Sequence, residues 1–220
     1  MANYSIAIDG PSGAGKSTIA KRLAQELEFE YLDTGAMYRA ITLYILEHGV
    51  DPDDEAAVCG VLDEIDLSIR GSRVLLNGTD VSEKIRSQLV TTAVSPVSSY
   101  RAVRERMVAM QREACHGCNV ILDGRDIGTT VLPDASLKFY LTASAQERAF
   151  RRLHDQKNKS SNTYEEVLAD ILRRDRYDSS RDISPLRKAE DAIEIDSTDM
   201  SIDEVLTFMK QKWEERVHVL

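Results

Sequence analysis

Short apolar runs alternate along the chain with segments whose apolar residues recur at three- and four-residue spacing. Ser5-Ile6-Ala7-Ile8-Asp9 reads as a buried strand, and Lys16 to Leu27 as a helix with Ile19, Ala20, Leu23, Ala24 and Leu27 on one stripe. Further strands are predicted at Val120-Ile121-Leu122, Leu137 to Leu141 and Ala192 to Ile195. Capping boxes at Ser144 with Glu147, Thr163 with Glu166 and Ser201 with Glu204 predict three helix starts. In the second of these helices Val167, Leu168, Ile171 and Leu172 form the expected buried stripe. The alternation is that of an α/β fold built on a parallel sheet.

Two stretches break the rhythm. Arg73-Val74-Leu75-Leu76 followed by Asn77-Gly78 reads as a strand entering a tight hairpin, part of a small lobe inserted at about Asp63 to Ser95. Asp155 to Asn162 is an unbroken polar run rich in Asn, Ser and Asp, expected as an exposed mobile loop.

The 220 residues suggest a single domain, and 28 Lys+Arg against 37 Asp+Glu give a net charge of −9. That balance argues against a nucleic-acid polymer as partner, so any anionic ligand must meet a local concentration of Arg and Lys. No apolar run approaches the roughly 18 residues of a membrane span, and the first residues lack a basic secretion-signal start. A cytoplasmic location without a membrane partner is expected, and a monomer, since no long coiled or exposed apolar repeat is present. Cys115-His116-Gly117-Cys118 has CxxC spacing, yet the third cysteine, Cys59, completes no tetrahedral zinc site. The segment reads as a helix end with Gly117 as its left-handed cap, and Cys59 as packed in a helix.

Candidate chemistry begins at Gly10, Pro11, Ser12, Gly13, Ala14, Gly15, Lys16 and Ser17, which fit G-x-x-x-x-G-K-[ST] between a predicted strand and a predicted helix. In such a loop backbone N–H groups and a helix N-terminus cradle phosphates, Lys16 reaches the β- and γ-phosphates, and the Ser17 hydroxyl is placed to ligate Mg²⁺. The ATP-binding set runs from Gly10 through Thr18. Asn158-Lys159-Ser160-Ser161 fails the guanine-reading N-K-x-D of a switch GTPase, and the length suits a small kinase.

A kinase needs an acceptor site. Asp33 to Arg39 opens a helix with Thr34 as the expected cap, and Asp123-Gly124-Arg125-Asp126 follows a strand at the end where parallel sheets bind ligands. Arg174, Asp178 and Arg181 share one face if their helix runs that far. Each motif alone fits a capped helix or a solvated charge pair; together they can form a second, anion-binding site beside the triphosphate.

With GPSGAGKS at Gly10, DTGAMYR at Asp33, the stretch Ser95 to Arg104, DGRDIGT at Asp123, RRDRYDSSR at Arg173, Ser-Pro-Leu at Ser184 and Asp-Ser-Thr at Asp196, the sequence resembles the bacterial cytidylate kinases of the nucleoside monophosphate kinase family. The resemblance runs through nearly the whole chain. It implies a five-stranded parallel P-loop core, a monophosphate-binding lobe carrying the insert, and a short lid at about residues 148–162. It implies transfer of the ATP γ-phosphoryl group, with Mg²⁺, to CMP or dCMP. It places Arg39, Arg125 and Arg181 on the acceptor phosphate, Ser95, Arg104 and Asp126 on the cytosine, Arg174 and Asp178 on the ribose, and Tyr38 and Thr34 near the nucleoside.

Arg148 and Arg152, with Arg151 between, follow the Ser144 cap and are the lid candidates; a solvated basic face is the alternative. Asp123 stands where an acid could orient a Mg²⁺-bound water, with a structural bond to its own loop equally open. The rival functions are a P-loop kinase for another monophosphate or a small metabolite such as shikimate, and a nucleotide-binding regulator.

Overall fold

The computed structural model describes residues 3–70, 73–154 and 163–218. By its contacts the chain divides into two compact units, residues 1–31 with 115–220, and residues 32–114.

The first unit is built on a five-stranded sheet in the order β2-β6-β1-β7-β8, with β1 at Ser5–Asp9, β2 at Glu30–Asp33, β6 at Val120–Gly124, β7 at Leu137–Thr142 and β8 at Ile193–Asp196. The boundary between the units falls inside β2, after Tyr31. The pairings of β1 with β6, β1 with β7 and β7 with β8 are all parallel. The central strands carry consecutive apolar residues because both faces are covered, and Ile6, Ala7, Ile8, Ile121, Leu122 and Leu141 are completely buried. Helix α1 (Lys16–Leu27) lays Ile19, Ala20, Leu23 and Ala24 onto this core, and the last helix, α8 (Ile202–Val217), adds Val205, Leu206, Met209 and Trp213. Trp213 is held edge-on by Tyr4 and Phe29.

Topology fixes the functional end. The chain leaves β1 toward the β2 edge but leaves β6 toward β7 on the other side, so the carboxyl ends of β1 and β6 form a topological switch point. The register there sets Ile8 beside Asp123 and Asp9 beside Gly124.

Helices α6 (Ala145–His154) and α7 (Tyr164–Ser180) pack on each other through Ala149, Val167 and Ile171. Leu168 is half-buried and Leu172 is exposed, so the predicted four-residue stripe is only one turn wide. The capping boxes at Thr163 and Ser201 form in full. At Ser144 the hydroxyl accepts from Glu147 N, but the Glu147 carboxylate turns to Arg151 instead of closing the box.

The second unit holds α2 (Thr34–Glu47), α3 (Glu55–Gly60), α4 (Gln88–Val97) and α5 (Arg101–Ala114), with a small antiparallel sheet of β3 (Leu67–Arg70), β4 (Arg73–Leu76) and β5 (Thr79–Asp80). The sheet lies inside the stretch read as an insert, while the compact unit around it is wider. Asn77 and Gly78 both take positive φ, 48° and 77°, as a two-residue hairpin turn requires. Helix α2 begins one residue from its expected cap: the side chain that accepts Ala36 N is Asp33, and Thr34 is the first helical residue. Asp33 wins because its carboxylate, one residue earlier, reaches the exposed N–H groups of the first turn. Cys59 lies in α3, and Gly117, at φ 81°, turns the chain out of α5 toward β6. The three cysteines are free thiols, and burial pushes Cys115 up to about 11, so the CxxC pair is not a reactive thiolate.

Among the described residues no helix is long and apolar enough to cross a membrane. Residues 155–162, expected as a mobile loop and lid tip, lie outside the described residues.

Gly10 tests the architecture at its tightest point. A Cβ there would stand 2.0 Å from the Leu141 carbonyl oxygen at φ 150°, whereas one at Gly49, at φ 69°, would meet open space. Gly10→Ala is expected to cost well over ~2 kcal/mol, because strand backbone must shift, and Gly49→Ala about 1 kcal/mol. Urea unfolding of both variants measures the contrast.

Candidate active site

The loop after β1 bends through three glycines at positive φ, Gly10 (150°), Gly13 (80°) and Gly15 (89°), which turn the chain into the start of α1. Lys16 is almost fully buried, and its Nζ donates to the Pro11 carbonyl at 2.8 Å, closing the loop on itself. Burial lowers its pKa to about 7, the nearby Arg125 cation adds to the effect, and Asp123, Asp9 and Asp178 oppose it. The Ser17 hydroxyl donates to Asp123 Oδ2 at 2.8 Å, while Asp123 Oδ1 receives the Tyr31 hydroxyl at 2.7 Å.

Arg148 is buried against the same loop. Its Nε donates to the Ala143 carbonyl at 2.8 Å, Nη1 to the Ser12 carbonyl at 3.0 Å, and Nη2 pairs with Asp175 of α7 at 2.7 Å. The solvated face is thereby excluded for Arg148, because two carbonyls and a carboxylate replace its water. Arg152 pairs with Asp170 of α7 at 3.2 Å, and Arg151 binds Glu147 and Ser197.

A second cluster forms beside this loop in the same unit. Arg125 Nε donates to Asp178 Oδ2 at 2.9 Å. Although burial opposes it, the Asp178 carboxyl is held below its usual range by Arg125, then Arg181 and Arg174, so three guanidinium groups act on one carboxylate. Arg174 and Asp178 lie one turn apart on α7 and are both buried. Arg181 does not share their helical face: α7 stops at Ser180, and Arg181 is its extended cap residue. Asp126, buried, sits at the head of a π-helical turn, Ile127–Val131.

In the second unit Arg39 Nη1 donates to Thr91 Oγ1 at 2.9 Å and reaches the Ile85 carbonyl at 3.4 Å. Arg104 is buried over the Tyr38 ring, 5.5 Å from its centre, and donates to the Ser98 carbonyl. Ser95 is buried on α4, and Thr34 at the start of α2.

Asp9, Tyr31 and Asp175 were missed by the sequence reading. Asp9 Oδ1 and Oδ2 accept the Ile127 and Gly128 N–H groups at 2.8 and 2.7 Å, tying the end of β1 to the turn behind Asp126. An acid closing a buried strand was its one visible signal. Tyr31 and Asp175 act on residues 92 and 27 positions away, and no local pattern marks them.

The family model for cytidylate kinase matches residues 6–215. The chain belongs to the cytidylate kinase family. It is 51% identical to the cytidylate kinase of Halalkalibacterium halodurans over 99% of this chain and all of that one. With that of Caldanaerobacter subterraneus it shares 54%, over 91% and 90% of the two chains. Among solved structures, the shikimate kinase of Bacteroides thetaiotaomicron superposes with a TM-score of 0.51 over 97% and 99% of the chains at 11% identity. That likeness shows the P-loop kinase fold alone, and the cytidylate kinase matches leave the shikimate alternative without support.

Burial raises the Asp9 carboxyl from an ordinary 3.8 to about 6, with Asp126 adding to it, against the two backbone N–H bonds. Between those values the folded chain holds a proton that the unfolded chain has released, so the Asp9 contribution to stability falls as pH rises. The stability difference between wild type and Asp9→Asn is therefore expected to shrink by up to about 3 kcal/mol from pH 3.8 to 6. Parallel urea titrations at both ends of that window check the sign.

Proposed function

We propose that this chain transfers the γ-phosphoryl group of ATP directly to CMP or dCMP, giving ADP and CDP or dCDP. The observation that carries the reading lies in one unit: beside the phosphate-binding loop Arg125 is paired with Asp178, with Arg174 one turn away on α7 and Arg181 at the end of that helix. A triphosphate loop does not itself need that cluster; an anionic acceptor does, since its phosphate must be neutralised before it can approach ATP. Guanidinium forks do this with fixed geometry.

On this reading Gly10 to Thr18 hold the ATP phosphates, with Lys16 on the β- and γ-phosphates. Arg39, Arg125 and Arg181 bind the acceptor phosphate. Arg174 and Asp178 hold the ribose, Ser95, Arg104 and Asp126 read the base, and Thr34 and Tyr38 line the nucleoside. Arg148 and Arg152 serve the transferring group from the root of the lid, which is read as running from about residue 148 to 162. The insert is read at about residues 63–95. The Ser17 hydroxyl and Asp123 carboxylate, 2.8 Å apart, are a hard all-oxygen donor pair of the kind Mg²⁺ takes. Ser17 would hold the ion directly and Asp123 through water, and when bound it neutralises charge across the β- and γ-phosphoryl oxygens. The transfer needs no covalent intermediate and no strong acid or base, so the chain's part is to position both phosphates and stabilise spread charge.

Activity across CMP, dCMP, UMP, AMP and shikimate tests the reading, with CMP and dCMP expected to lead. ATP binding without product from any acceptor would favour a regulator instead. Base choice is expected to follow Asp126. Its carboxylate accepts the cytosine amine but faces a lone pair in uracil, a mismatch of roughly 1–3 kcal/mol. Asp126→Asn, which presents an amide N–H, is expected to narrow the CMP/UMP ratio of kcat/KM by about tenfold or more. An equal loss on both nucleotides would place Asp126 off the base.

Lys16 gives a second test. With its pKa near 7 in the resting site, much of the population is neutral at pH 8, and phosphates favour the ammonium. ATP binding at pH 8 is expected to take up close to one proton, read from calorimetry in buffers of different ionisation enthalpy. Lys16→Ala should lose both that uptake and most turnover while staying folded.

A further inference from the structure

Ser184-Pro185-Leu186 returns the chain after α7, and neither the loop nor the arginine cluster accounts for it. Ser184 takes φ 49°, a left-handed conformation unfavourable for a residue with a Cβ, and it does so immediately before a proline, which restricts it further. Strain of this kind persists only where its surroundings impose it. Here the surroundings are specific. The Ser184 carbonyl accepts Arg181 Nη2 at 3.1 Å, and its hydroxyl meets Thr130 Oγ1 at 3.2 Å. Thr130 belongs to the turn directly behind Arg125 and Asp126. Leu186 N donates to the Asp178 carbonyl in the last turn of α7 at 2.8 Å, and the Leu186 side chain is buried.

Arg181 lies past the end of α7, where the helix no longer fixes its direction. A long side chain in that position needs an outside anchor. A carbonyl holding one amino group leaves the rest of the planar fork aimed along a set line.

We propose that Ser184 is a positioning residue, a strained clamp that aims the Arg181 guanidinium at the acceptor phosphate and ties the end of α7 to the turn carrying Arg125 and Asp126. The inference rests on the acceptor role proposed for Arg181. Ser184→Gly removes the hydroxyl tie and frees the backbone without adding bulk. It is expected to raise the KM for CMP about three- to tenfold, with the ATP KM within about twofold and the melting temperature not lowered. Ser184→Ala, which loses only the Thr130 contact, should raise the CMP KM by a smaller factor. In an Arg181→Ala background Ser184→Gly should have no further effect on the CMP KM, because the clamp acts through that side chain.

A Ser184→Gly protein with altered melting temperature and an unchanged CMP KM would reduce Ser184 to a structural turn and overturn the proposal. So would the same fold-rise with and without Arg181. An Arg181→Ala protein with a normal CMP KM would overturn the acceptor reading of Arg181, and the clamp with it.

Discussion

Seven ionisable side chains at the carboxyl end of the sheet, Asp9, Lys16, Asp123, Asp126, Arg148, Arg174 and Asp178, are each less than 7% exposed, and this burial of charge is the constraint the first unit is built around. A charge withdrawn from water costs several kcal/mol unless partners replace its hydration. Backbone supplies much of the replacement: the Pro11 carbonyl for Lys16, the Ile127 and Gly128 N–H groups for Asp9, the Ser12 and Ala143 carbonyls for Arg148. Because these partners are main chain, the side chains cannot move without moving loops. The phosphate loop, the turn after β6 and the start of α6 are thereby held in register with one another before any nucleotide arrives.

The same network decides what could be read in advance. Helix α1 begins and ends at the residues its periodicity marks, and the Asn77-Gly78 hairpin forms as written, because each depends on neighbours within a few positions. What lay beyond reach is pairing across long separations. The helical spacing marked Arg148 as a lid candidate, and only the fold sets it between Ser12 and Asp175. The roles of Thr34 and Asp33 at the start of α2 were exchanged because both can cap and the pattern does not choose. Leu172 looked like core because periodicity marks a face, while the partner helix decides how wide a face is covered. The sequence resemblance pointed to the arginines and to Asp178, but not to the direct pairing of Arg125 with Asp178 or to the fact that Arg181 stands beyond its helix.

The acidic composition and the cationic site are compatible because the site carries its own counter-ions. Arg125 is paired with Asp178 in the resting structure, and Arg174 and Arg181 bear on the same carboxylate. Unshielded, three guanidinium groups in close company would repel one another and destabilise the end of α7. The carboxylate offsets that repulsion and keeps the forks gathered. On the proposed reading it also sharpens selection, since an arriving anion must do better than a carboxylate already in place, and a phosphate dianion with three acceptor oxygens does so more readily than a single halide or carboxyl group.

The two kinds of cation divide the work by their chemistry. Burial brings the Lys16 ammonium down to about 7, so its charge responds to what occupies the loop. Arg125 meets the same opposition from burial, yet Asp178 and then Asp123 and Asp175 outweigh it, and its pKa moves upward instead. A guanidinium in that setting is charged whether or not a ligand is bound. On the proposed reading the asymmetry suits the reaction: the acceptor side needs constant neutralisation to admit a second phosphate beside the first, while the donor side needs a positive charge only when the triphosphate is there to receive it. A lysine in place of Arg125 would face the same desolvation without a planar fork to hold Asp178. An arginine in place of Lys16 would need room that the Pro11 carbonyl, 2.8 Å from the ammonium, already occupies.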